Sequence, residues 1–137
     1  MASTLKINTL TGVSTAGSIA VTGEGNSTTT NLQQGLAKAW VKTAEDLTGT
    51  NDSFNVSSID DDGTGDGGVT LTASMSNANY AMKASTISAS SASIMTIDYD
   101  GTQSTASFEF EIAYANASTN RTAIDRHSFQ SVHGDLA

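Results

Sequence analysis

The chain has 137 residues, six of them basic and 14 acidic, for a formal charge of −8 at pH 7. Six scattered cations do not make a phosphate-gripping surface, so nucleic acid is excluded as a partner. The absence of Cys excludes a disulfide framework, a thiolate metal site and a thiol nucleophile. No apolar run is long enough to span a bilayer, so no membrane insertion is expected. The opening residues Met1 to Lys6 lack the basic-then-apolar order of a secretory signal. The chain is rich in small hydroxyls, with 20 Thr and 19 Ser beside 18 Ala and 12 Gly. Large apolar residues make up about a quarter of it, near the border of disorder. Either part of the chain lacks a core, or copies share one.

In residues 1–30, Leu5, Ile7 and Thr9 alternate over Ser3 to Leu10, which predicts a short strand. Ser18 to Thr22 predicts another. The Gly/Ser/Thr stretches at 11–17 and 23–30 read as loops of an arm that orders against other chains, or as a disordered tail. From Asn31, a capping residue, Leu32, Leu36 and Trp40 fall on one helical face. A second parse has a helical turn over Asn31 to Ala37 and then a strand, Lys38 to Thr43, with Trp40 inward. The second is favoured, because everything downstream is β.

From Ser53 the period is two, with Phe54, Val56 and Ser58 on one face of a strand reaching Asp60. Asp60 to Gly68 reads as a turn-rich acidic loop, and Val69 to Ala73 returns to close a hairpin. Further strands are predicted over Asn77 to Lys83, with Ala78, Tyr80 and Met82 on one face, and over Ser93 to Asp98. The second of these ends at the turn Asp98-Tyr99-Asp100-Gly101. The clearest strand is Thr105 to Ala115, where Phe108, Phe110, Ile112 and Tyr114 alternate with Ser107, Glu109, Glu111 and Ala113. A last strand, about Arg126 to His133, carries Phe129 near its centre. The aromatics other than Tyr99 read as core. Six to eight short strands define an all-β, antiparallel β-sandwich or jelly-roll-like module over residues 31–137. An extended arm over residues 1–30 and at most one short helix complete the expected fold.

Few residues suggest chemistry. Asp60, Asp61, Asp62 and Asp66 could wrap a hard cation, but EF-hand spacing fails. Counted from Asp60, position five is Thr64 and position twelve is Leu71; counted from Ser58, position twelve is Val69. A solvated hairpin turn is the better reading. His127 and His133, with Asp125 and Asp135 nearby, are two ligands without a third at a recognisable metal-binding spacing, so surface or interface histidines are the better reading. Glu109 and Glu111 project from one strand face about 7 Å apart, a separation compatible with acid–base work but on a solvated face. No Gly-x-Ser-x-Gly elbow is present. No catalytic residue, metal or cofactor is expected, and the chain does not read as an enzyme.

Several segments in a fixed order carry a resemblance. These are Gly35-Leu36-Ala37-Lys38-Ala39-Trp40-Val41, then Asp52 through Asp66, then Met75-Ser76-Asn77-Ala78-Asn79-Tyr80, and the close His133-Gly134-Asp135-Leu136-Ala137. Over about residues 32–137 the chain resembles a module recurrent in tail-fibre-like and other virion structural proteins of marine tailed bacteriophages, of cyanophage and pelagiphage type. The opening Met1 to Thr9 is similar to the start of such proteins. The resemblance implies a homotrimeric β-structured virion component, assembled in the bacterial host cytoplasm and attached to other virion proteins through its N-terminal arm. It implies a short tail fibre or fibre-like appendage, with no catalytic residues. Loop composition and this resemblance together make Asp60, Asp61, Asp62, Asp66, Tyr99 and Asp100 the receptor-contact candidates, facing a host glycan or protein. Two alternatives stand beside it: a capsid decoration (cement) protein, favoured by a short chain without a fibrous shaft, and a soluble carbohydrate- or calcium-binding module. A thin core shared among three copies, and assembly in a reducing cytoplasm without Cys, fit the same picture.

Overall fold

The computed structural model describes residues 4–12, 19–23, 29–87, 93–97, 103–116 and 119–137 and divides into two units, Met1–Leu36 and Ala37–Ala137. In the first, β1 (Ala20–Thr22) and β2 (Thr29–Asn31) pair antiparallel, with Val21 opposite Thr30. Asn31 then caps α1 (Leu32–Gly35): its Oδ1 accepts from the Gln34 amide at 3.1 Å, while Leu32 donates to the Ile19 carbonyl. The strand expected over Ser3 to Leu10 does not form; residues 4–12 pair with nothing described. Alternation alone makes no strand when no neighbour offers a ladder and no layer covers the apolar side. Leu5, Ile7 and Leu10 are accordingly 79%, 51% and 53% exposed, and no described residue of this unit is buried.

The second unit is an all-β antiparallel sandwich. One sheet has the order β4 (Thr50–Phe54), β3 (Ala37–Thr43), β11 (Ser128–His133), β7 (Ala81–Thr86). The other pairs β5 (Val56–Gly63) with β6 (Asp66–Leu71), and β6 with β9 (Ser107–Asn116). β9 also pairs β8 (Ser93–Ile97) and β10 (Thr119–Ala123). Phe108, Phe110 and Ile112 of β9 and Val69 and Leu71 of β6 pack against Ala39, Val41 and Val132 of the opposite sheet. Leu47, Met75 and Tyr80 complete this core. Large side chains on one layer thus meet small ones on the other, which fills the space to native density.

Two backbone devices shape the sandwich. The strand expected from Ser53 to Asp60 is broken at Asn55, whose φ of 57° turns the chain from one sheet into the other. Asn tolerates that left-handed conformation, and here its amide group fixes the corner. Nδ2 donates to the Lys38 and Ala73 carbonyls at 2.9 and 3.1 Å, and Oδ1 accepts from the Ala73 amide at 2.7 Å. The second device is at Ile112. Its amide donates to the Gly65 carbonyl at 2.6 Å, and its own carbonyl accepts from Ile124 at 3.0 Å. Both groups of one residue point to one side of a strand, so β6 and β10 succeed each other along a single edge of β9. Gly65, at φ 73°, lies so close to the Ile112 and Ile124 backbones that a Cβ has no room.

Four aromatics expected in the core lie outside it: Tyr114 is half-buried, and the other three are exposed. Trp40 is 40%, Phe54 53% and Phe129 38% exposed. In β3 the inward positions belong to Ala39, Val41 and Thr43, and in β11 to Ser128, Gln130 and Val132. The inward polar trio is satisfied in part by itself: Thr43 and Ser128 hydroxyls lie 3.1 Å apart, and Gln130 Nε2 donates to Ser128 Oγ at 2.9 Å.

Tyr80 stands edge-on to Phe108, with ring centroids 6.5 Å apart, and donates its hydroxyl to the Ser107 carbonyl at 3.1 Å. Burial penalises the phenolate and pushes this group up to about 12. A raised folded value leaves stability intact below pH 10, the unfolded value, and removes it as pH rises towards 12. Tyr80→Phe is therefore expected to cost about 1 kcal/mol at pH 8 through the lost hydrogen bond, with a smaller gap from the parent chain at pH 11. Urea unfolding midpoints of the two chains at both pH values check this.

Candidate functional site

The sandwich has two outer faces of opposite character. On the β5–β6–β9 sheet, alternation turns Gly67 towards the Phe110 ring and Gly68 outward. A Cβ on Gly68 would meet Asp60 Cβ at 3.5 Å, Glu109 Cγ at 3.9 Å and Asp62 Oδ2 at 4.0 Å, so these carboxylates share its face. Asp66 lies opposite Glu111 one step along the ladder. Glu111 pairs with Arg121 of β10. Five carboxylates therefore stand on this face. Asp60, Asp61 and Asp62 belong to β5 and Asp66 to β6, so the expected acidic loop is a paired hairpin whose turn is only Thr64 and Gly65. Asp61 Oδ1 accepts from the Gly63 amide at 3.1 Å and steadies that end. Tyr99 and Asp100 lie outside the described residues. Gln103, two residues after the expected turn, donates Nε2 to the Ala78 and Tyr80 carbonyls at 2.8 and 3.0 Å.

The histidines do not share a strand face. His127 precedes β11, with Nδ1 2.8 Å from the Thr43 carbonyl, and His133 closes the strand. No group of three or more His, Asp or Glu side chains placed to hold a metal occurs among the described residues. A shallow depression beside His127 is lined by Ala44, Glu45, Asp46, Asp125 and Arg126. Its polar groups are engaged with their neighbours. The Thr48 hydroxyl and amide hold Asp46 below the usual carboxylate range, Arg126 pairs with Glu45 at 3.4 Å, and Asp125 accepts from the Gly65 amide at 2.6 Å. The depression is a surface of structural contacts, with no nucleophile and base aligned in it.

The opposite face, on β4–β3–β11–β7, is aromatic and carries lysine. Trp40 lies directly across from Phe54 and Ser131, and Lys42 across from Asp52 and Phe129. Phe129 in turn faces Ser85, and Ser131 faces Lys83. The Lys42 ammonium sits 5.6 Å from the Phe129 ring centroid, a cation–π distance. Exposed aromatics grouped on one sheet face mark an interaction surface more often than scattered ones do. This face was readable from the pattern: Trp40 has the strand parity of Lys42, and Phe54 that of Asp52. Parity, rather than aromatic identity, decides which side of a strand is wet.

Comparison with protein-family models, curated proteins and solved structures finds no match.

Removing Trp40 or Phe129 should leave the fold standing. For a single copy of the chain, at concentrations too low for self-association, Trp40→Ser and Phe129→Ser are expected to cost about 1 kcal/mol or less, whereas Phe110→Ala, at a fully buried position, should cost about 3–5 kcal/mol. Denaturant unfolding of the three variants makes the comparison.

Proposed function

We propose that this chain is a non-enzymatic structural protein of a phage virion, a short tail fibre or fibre-like appendage, that works as a homotrimer. The sandwich of residues 37–137 is the exposed head, and the N-terminal arm binds other virion proteins. One observation carries this reading: the unit Met1–Leu36 has no buried residue among those described, yet Leu5, Ile7 and Leu10 are exposed. An alternating apolar segment without a covering layer supports a role as a strand or clamp added to another chain. The acidic face and hairpin, with Asp60, Asp61, Asp62 and Asp66, support solubility outward from the particle and a contact surface for a host glycan or protein. A capsid decoration protein, whose arm laces over neighbouring shell subunits, is the second reading, and the same coreless arm favours it.

The experiment is localisation. Particles carrying this chain with a C-terminal tag, imaged by electron microscopy with a tag-directed label, should show label at the tail. Label spread over the head lattice would replace the fibre by the decoration reading, and purified particles without label would contradict both.

A further inference from the structure

We propose that copies of this chain meet through the face bearing Trp40, Phe54 and Phe129, closed around an axis parallel to the strands. This rests on the reading of the chain as a self-assembling part and names the surface it uses. The occupant is a second copy because the two edges of the face carry opposite charges, while Lys42 between them lies against the Phe129 ring and across from Asp52. Asp52 stands on β4 beside Phe54, and Lys83 on β7, the two opposite edges of the sheet, with Trp40 and Phe129 on the strands between. Rotation about an axis parallel to the strands keeps every residue at its height and brings the β4 edge of one copy beside the β7 edge of the next. Asp52 is level with Lys42, Phe129 and Ser85, and Lys83 with Trp40, Phe54 and Ser131. The two charges thus differ in height by one same-face step, about 7 Å along the strand, which a lysine stem spans. Each junction then gains an Asp52–Lys83 pair, and the aromatics of all copies converge on the axis, as buried anchors do in assembled interfaces.

The other arrangements are worse. Two acidic faces together would set Asp60, Asp62, Asp66, Glu109 and Glu111 against their own copies, a like-charge contact. Laying the aromatic face of one copy on the acidic face of the next joins opposite sides of a sandwich. Such a head-to-tail contact repeats without closing and yields an open filament.

Sedimentation of the full chain across micromolar concentrations, read together with Trp40 emission, tests this. Trp40 is the single tryptophan, so its fluorescence reports this face alone. The parent chain should assemble, and its emission should shift to the blue as it does. Asp52→Lys and Lys83→Asp should each raise the concentration of half-assembly by about tenfold or more, and the double reversal should restore it. Assembly with Trp40 emission unchanged, or single reversals without effect, would overturn the face while leaving self-assembly standing. A folded monomer at every concentration would overturn both, as would a monomer whose Trp40 responds only to an added oligosaccharide.

Discussion

Ile112 donates its amide to Gly65 and accepts from Ile124, so one edge of β9 serves β6 over its first half and β10 over its second. That change of partner needs a carbonyl delivered at the right height, and only a residue without a side chain can lie so close to two backbones. Gly65 supplies it, and Asp125 holds the Gly65 amide from the other side at 2.6 Å. A hydrogen bond to a charged acceptor is among the stronger local ties. The hairpin of β5 and β6, the strand β9 and the return towards β11 are thereby locked at one point. The inward row Phe108, Phe110 and Ile112 is aimed by the same ladder, so register here decides what the whole core contains.

From that core the rest of the molecule divides. Apolar mass is concentrated between two sheets of residues 37–137, where Phe108, Phe110, Leu47, Met75 and Val132 are almost wholly excluded from water. Burying each such side chain stabilises by about 1.5–3 kcal/mol. Little is left for the unit Met1–Leu36, where no described residue is buried and Leu5, Ile7, Leu10, Val21 and Leu36 are exposed. The thin composition of the chain is therefore uneven, and the unevenness separates a part that folds by its own burial from a part whose described residues bury nothing. The two outer faces divide in the same way, into a carboxylate face suited to water and an aromatic face suited to contact.

Strict alternation made β9 legible, because five apolar–polar steps leave one register in which Phe108, Phe110 and Ile112 go inside. The capping Asn31 marked the helical turn and the strand after it for similar local reasons. Asp60 to Gly68 misled, since Asp and Gly commonly signal loops. Here the glycines serve the sheet: Gly67 stays bare so that the Phe110 ring can lie across β6, a demand made by a residue 43 positions away. β10 was missed for want of any apolar period, as its pairing with β9 comes from the hairpin and the ladder alone. The strand over Ser3 to Leu10 failed for the opposite reason, a period with no partner. Trp40 lies outside because strand parity, which it shares with Lys42, outweighs its aromatic character. The acidic face was visible only as a run of Asp; that Glu109 and Glu111 join it depends on a register set by long-range pairing.

Amide hydrogen exchange on the purified chain tests the central claim, a self-sufficient sandwich with a coreless arm, most directly. The account predicts that the amides of Val69 to Leu71 and Phe108 to Ile112 exchange only through global unfolding, while those of residues 4–12 exchange at nearly the unprotected rate. Strong protection of Leu5 to Leu10 in the purified chain, or rapid exchange at Ile112, would contradict it.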